Sequence, residues 1–123
     1  MSVAGVPIDQ FEGPAQEFVD ALLAGPLSGK SIDPYAIYGA QAAQVMLDAI
    51  AASDGSRASV IEQLFATKVT DGFLGSFDIN ENGDPAGAEG AVVGFTIYKA
   101  TDKLTTEKVI SPKPEDVDAA RGT

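Results

Sequence analysis

The sequence contains no cysteine and no histidine. Without cysteine there can be no disulfide, thiolate nucleophile or cysteine-bound metal, and the absence fits any redox compartment. Without histidine the usual general base near neutral pH is missing, which excludes serine–histidine catalysis and histidine-ligated zinc. Basic side chains are scarce: 8 Lys and Arg stand against 18 Asp and Glu, a formal net charge of −10. Such a chain repels phosphate backbones and shows no basic patch, so no nucleic-acid partner is expected. No apolar run approaches membrane-spanning length. The stretch Met1-Ser2-Val3-Ala4-Gly5-Val6-Pro7 lacks the basic start and long apolar core of a signal peptide. No internal repeat or low-complexity tract is visible.

What the chain does have is an unusually apolar segment, Asp33 to Ala52. Asp33 can accept from the free N–H groups of a first helical turn, Pro34 suits the first helical position, and Ser53-Asp54-Gly55 stops the helix. Ala36, Ala40, Ala43, Leu47 and Ile50 are the expected inner face. Ala42, Met46, Ala49 and Ala51 widen it, and only Gln41, Gln44 and Asp48 are firmly polar. A helix apolar on most sides is expected to be covered on most sides.

Before this helix, Ser2 to Ile8 reads as a short strand or extended segment and Asp9 to Gly13 as a loop. A helix then opens at Pro14, with Ala15, Phe18, Val19, Leu22 and Leu23 at helical spacing, and ends at Gly25-Pro26. After it, Ser56 is the expected N-cap of a third helix whose buried edge is Ile61, Leu64 and Phe65 beside Val60, and Ser59 with Glu62 makes a second capping-box match. Lys68 to Gly72 reads as a loop. Phe73 to Ile79 reads as a strand with Phe73, Gly75, Phe77 and Ile79 on one face. A turn on Asn82-Gly83, a small flexible stretch from Pro85 to Gly90, and strands at 91–98 and 104–110 complete the pattern. The body is expected to span residues 1–111, and residues 112–123 to form a polar, disordered tail.

Three short strands cannot cover three apolar helices on both sides, so the chain is expected to belong to something larger or to self-associate. The residues Asp33-Pro34-Tyr35-Ala36-Ile37-Tyr38-Gly39-Ala40-Gln41-Ala42-Ala43, then Leu64-Phe65-Ala66-Thr67, then Asp71 to Asp84 resemble, in order and spacing, the extracellular solute-binding proteins of branched-chain amino acid-type ABC transporters. The resemblance runs from about residue 1 to Pro112 and covers only the C-terminal third of such a protein. It implies an α/β architecture, a partial type I periplasmic-binding-protein fold of three helices plus C-terminal strands with incomplete lobes. Val3 to Pro7 would be a crossing between lobes. The implied function is non-enzymatic: the intact protein would close two lobes on a branched-chain amino acid or related small solute, meet an ABC permease, work outside the cytoplasm, and need no cofactor.

The resemblance places Tyr35 where an aromatic side chain lies against bound ligand, with Tyr38 one turn on as a second candidate. An aromatic wall excludes water around an apolar side chain and offers a phenol hydroxyl. Ordinary packing is the competing reading for both rings. Asp78, Asn80, Asn82, Gly83 and Glu89 match the spacing of a calcium loop, but their flanks are a strand and glycine-rich coil instead of helices, and Pro85 follows the seventh ligand position. A polar turn is the expected role, and no metal is assigned. Asp9, Glu12, Glu17 and Asp20 read as solvated surface. Gly87, Gly90 and Gly94 lack the helix and lysine of a phosphate loop.

Overall fold

A computed structural model of the chain describes residues 2–86, 94–111, 113, 115, 116 and 119. Strand β1 is Ser2–Ala4; the helices are α1, Gly13–Ala24, α2, Tyr35–Ala52, and α3, Arg57–Phe65. Strands β2, Lys68–Gly72, β3, Gly75–Ile79, β4, Pro85–Ala86, β5, Phe95–Ala100, and β6, Leu104–Ile110, follow. A single 3-10 turn at Ile8–Gln10 occupies part of the expected loop after β1.

Each helix begins where local chemistry allows. Pro14 sits in the first turn of α1, where its missing N–H costs nothing. At α2, Asp33 Oδ1 accepts from the Tyr35 N–H at 2.9 Å, with Pro34 already helical. The α2–α3 turn is a web of short bonds. Ser53 Oγ accepts from the Gly55 N–H, Asp54 Oδ1 from the Ser56 N–H, Ser56 Oγ from the Ser59 N–H, and Ser59 Oγ from the Asp54 N–H. Ser56 therefore caps α3 as expected. The expected second box at Ser59 and Glu62 does not form, because Ser59 already lies inside the helix and its hydroxyl reaches back to Asp54.

The strands make two three-stranded sheets, β1-β5-β6 and β2-β3-β4, and every pairing is antiparallel. The β2–β3 hairpin corrects the sequence reading. Lys68 to Gly72, expected as a loop, is a strand, and the expected strand at Phe73 begins only at Gly75. Gly72 pairs with Gly75, which leaves Phe73-Leu74 as a two-residue tip. A bulge between Val69 and Gly72, with Asp71 at φ +53°, breaks the alternation by which a strand is read from sequence. The strand expected at 91–98 is described from Phe95. Residues 91–93 and most of the expected tail, 112–123, lie outside the described residues.

The hairpin tip is what the helices close upon. Leu74 is buried, and Phe73 meets Phe18 of α1 with ring centroids 5.1 Å apart. Ala15 and Val19 of α1, Ile37 of α2, Phe11 and Phe77 complete this core, and Val6 joins it from the segment after β1. Val109 of β6 packs on the same core from the other sheet.

Helix α2 buries a different face from the one expected. Ile37, Gln41 and Ala49 are buried with Val45 half-buried between them, a stripe at four-residue spacing. Of the expected face, Leu47 is 60% exposed and Ile50 49%. On α3, Val60 and Leu64 are half-buried while Ile61 and Phe65 point outward, against expectation. Leu23 of α1 is also exposed. Where a helix is apolar nearly all round, hydrophobicity cannot select the inner face. Here a polar residue selects it: Gln41 Oε1 accepts from the buried Leu74 N–H at 3.2 Å, so the amide faces the hairpin and Leu47 is turned away.

Candidate functional site

The first turn of α2 carries both candidate rings. Tyr35 stands in solvent, 62% exposed, while its backbone is anchored by Asp33. Tyr38 lies one turn further along with its ring tilted against that of Tyr35, centroids 5.8 Å apart. Tyr38 is half-buried, and its hydroxyl lies near the bend at Gly5 and Val6. Burial pushes the Tyr38 phenol above its ordinary pKa; the polar Val6 backbone pulls the other way, and the neighbouring Tyr35 adds to the rise. The phenol is thus neutral across the physiological range and able both to accept and to donate.

Below Tyr38 the tertiary structure opens an apolar groove of about 700 Å³. Tyr38, Ala42 and Val45 of α2 form one wall, Leu64 and Phe65 of α3 another, and Phe77 and Ile79 of β3 the floor, with Asp84 at one end. A second, more polar groove of about 570 Å³ lies between Gln44 and Asp48 of α2 and the segment from Gln63 to Phe73. Gln41 lines both. Tyr35 and Tyr38 are brought together as expected, but only Tyr38 lines the groove. The groove residues Val45, Leu64 and Phe77 carry no sequence signal for a site, since each reads as ordinary core until three elements converge.

The possible calcium loop is closed in a different way. Asn80 Oδ1 accepts from the backbone N–H groups of both Asn82 and Asp84, each at 2.9 Å, and Gly83 takes φ +84°. The oxygen a cation would need is spent on the turn itself. Among the described residues no group of acidic side chains is placed to hold a metal ion; Glu89 lies outside them. Asp9, Glu12, Glu17 and Asp20 are exposed, and Gln16 Nε2 donates to Asp20 Oδ1 across one helical turn.

Aromatic rings, an apolar groove and a neutral phenol can hold a small solute without altering it. No family model matches the sequence, and no curated protein matches it. A solved structure does: the leucine-binding protein LivK of Thermotoga maritima superimposes with a TM-score of 0.68 at 24% identity over 94% of this chain. The chain spans 31%, about a third, of the length of that protein. At this identity the likeness is one of fold: the chain has the α/β architecture of part of a type I periplasmic-binding protein. Among the described residues no helix is long and apolar enough to cross a membrane.

Proposed function

We propose that this chain is the C-terminal portion of a two-lobed receptor that binds a small zwitterionic solute, with a branched-chain amino acid as the first candidate. The observation that carries the reading is Tyr35: a large ring held in solvent on a firmly capped helix, in a fold shared with part of a leucine-binding protein. Tyr35 would lie against the solute's apolar side chain, and Tyr38 would back it. No bond is made or broken. The solute would shift an equilibrium between open and closed lobes, and an ABC permease would read the closed form from outside the cytoplasm. The outer face of α2 and α3 supports the same reading. Leu47, Ile50, Ile61 and Phe65 are exposed here and would be covered by the lobes' remaining sheet.

Calorimetry tests this reading. Leucine, isoleucine and valine are titrated into the longer polypeptide that carries this chain and into the 123-residue chain alone. The longer polypeptide should bind at least one of them, and Tyr35→Ala should weaken that binding by about 1.5–3 kcal/mol. The short chain should bind weakly or not at all, because most of the cleft lies elsewhere. Absence of binding by the longer polypeptide, or submicromolar binding by the short chain, overturns the reading. The same exposed face favours a second reading, a non-enzymatic module that self-associates through α2 and α3; a stable assembly with no solute affinity in any form would select it.

A further inference from the structure

The sequence holds two asparagines, and both stand in one turn, Asn80-Glu81-Asn82-Gly83. An asparagine followed by glycine readily closes on itself. The glycine nitrogen attacks the side-chain amide carbon of the asparagine, and no Cβ stands in the way. Asn82 and Gly83 are exposed, and a Cβ added at Gly83 would meet nothing within 4 Å. Water and hydroxide therefore reach the pair freely. What the pair lacks is a free nitrogen, because the Gly83 N–H donates to the Asn80 carbonyl at 2.9 Å.

Asn80 holds the turn by four bonds. Its N–H donates to the Asp84 carbonyl, and its own carbonyl takes the Gly83 N–H, each at 2.9 Å. Its side-chain Oδ1 accepts from the Asn82 and Asp84 N–H groups, also at 2.9 Å. These side-chain bonds straddle the reactive pair, one on either side. While they stand, the Gly83 nitrogen stays turned toward Asn80 and away from the Asn82 amide carbon. Closure has to wait for the turn to open.

We propose that Asn82 is a self-modification site and that Asn80 sets its rate. In the opened turn the Gly83 nitrogen gives its proton to hydroxide and bonds to the Asn82 side-chain carbon. The side-chain amide nitrogen takes a proton from water and leaves as ammonia, and a succinimide ring remains. Water then breaks one of the ring's two carbon–nitrogen bonds. Breaking the new bond leaves aspartate; breaking the old peptide bond leaves isoaspartate, whose main chain runs through the former side chain. One water enters, one ammonia leaves, and nothing is oxidised or reduced. Both products add a negative charge, and isoaspartate adds one atom to the main chain, next to Gly83, Asp84 and Pro85 at the end of the apolar groove. Strand β4 is paired there through Asp78 with Ala86 and Ile79 with Pro85, so its register is what the longer backbone disturbs. Neither the chemistry nor its control depends on the solute-binding reading.

The full 123-residue chain is incubated at mildly alkaline pH beside a synthetic peptide of residues 78–86, and tandem mass spectrometry follows the Asn82 amide as it becomes an acid. Asn82 should convert in both, and more slowly in the chain. Asn80→Ala removes both side-chain bonds and should speed conversion in the chain by roughly five- to thirtyfold, the loss of one to two ordinary hydrogen bonds. Hydrogen exchange at the Gly83 amide should rise by the same factor, because both reactions need that N–H freed. Asn80→Asp keeps an acceptor oxygen and should stay within about twofold of the wild-type rate. Asp71-Gly72 of β2 closes by the same chemistry with loss of water, so its isomerisation reports opening elsewhere in the fold and should not change. A wild-type chain that converts as fast as the peptide overturns the proposal, and this comparison needs no variant. So does an Asn80→Ala chain that converts no faster than wild type. An equal rise at Asp71-Gly72 also overturns it, since Asn80 would then act on the whole fold and not on this turn. No solute is present, so failure here is distinct from failure of the calorimetry.

Discussion

Gln41 shows how one side chain can settle the orientation of a helix. It is buried, and its Oε1 holds the Leu74 N–H at the tip of the β2–β3 hairpin, a donor otherwise shut away from water. An unpaired buried N–H costs about 1–3 kcal/mol, comparable with what burying one leucine such as Leu47 on the other face would return. The contact depends on Gly72. A Cβ placed there would stand 2.5 Å from both Gln41 Oε1 and Val69 Cγ1, closer than such atoms approach. Gly72→Ala must therefore push the amide off Leu74 or spread β2. We expect it to destabilise the chain by about 1–3 kcal/mol, read as a lower urea midpoint at unchanged slope. A change within ±0.5 kcal/mol, the range of ordinary surface substitutions, would show that Gln41 is not held there.

At the scale of elements, the turn between α2 and α3 has the densest polar bonding among the described residues, and it is exposed. Bonds from the Ser56 side chain and backbone, in that order, hold the Asp54 carboxyl below the ordinary aspartate pKa, with smaller help from Ser59. A carboxyl whose folded pKa is depressed adds stability that is complete above its unfolded value of about 3.9 and is lost as pH falls through the lower folded value. The stability gap between the wild-type chain and Asp54→Ala should accordingly be present at pH 7 and close in the acid range below pH 4. Urea titrations at pH 7, 5 and 3 measure it. A gap that persists undiminished at the lowest pH would mean that the Asp54 carboxylate plays no part in holding the turn.

For the whole molecule, two opposing properties face solvent. Leu47 and Ile50 of α2 and Ile61 and Phe65 of α3 are each about half exposed or more, and the net charge is −10. Apolar faces draw copies together while like charge holds them apart. Salt screens the second and not the first, with a screening length falling from about 10 Å at 0.1 M to about 3 Å at 1 M. We expect self-association of the isolated chain to rise with sodium chloride in light scattering. Leu47→Gln with Ile61→Gln should suppress it, and neither side chain belongs to the core that holds the fold. A chain that stays monomeric from low to high salt would refute an adhesive outer face, and with it the need for a covering sheet.

Much of this organisation was legible in the residues. Asp33-Pro34 marks the start of α2, Ser56 the start of α3, and Pro14 and Gly25 bracket α1, because capping is a transaction between near neighbours in the chain. The likeness to part of a solute-binding fold was legible as well, through the order of short local patterns, and so was the pairing of Tyr35 with Tyr38 on one helical turn. What local chemistry leaves open is decided by contacts between distant residues. Strand β2 exists because Val69 finds Phe77, and the inner face of α2 is chosen by a bond from Gln41 to a residue 33 positions away. The apolar groove appears only when α2, α3 and β3 converge. Sequence determines where the helices begin and end because capping is settled within a turn of backbone; tertiary structure alone decides which segments pair as strands and which side of each helix is inside, because only there do distant backbone and buried polar groups find their partners.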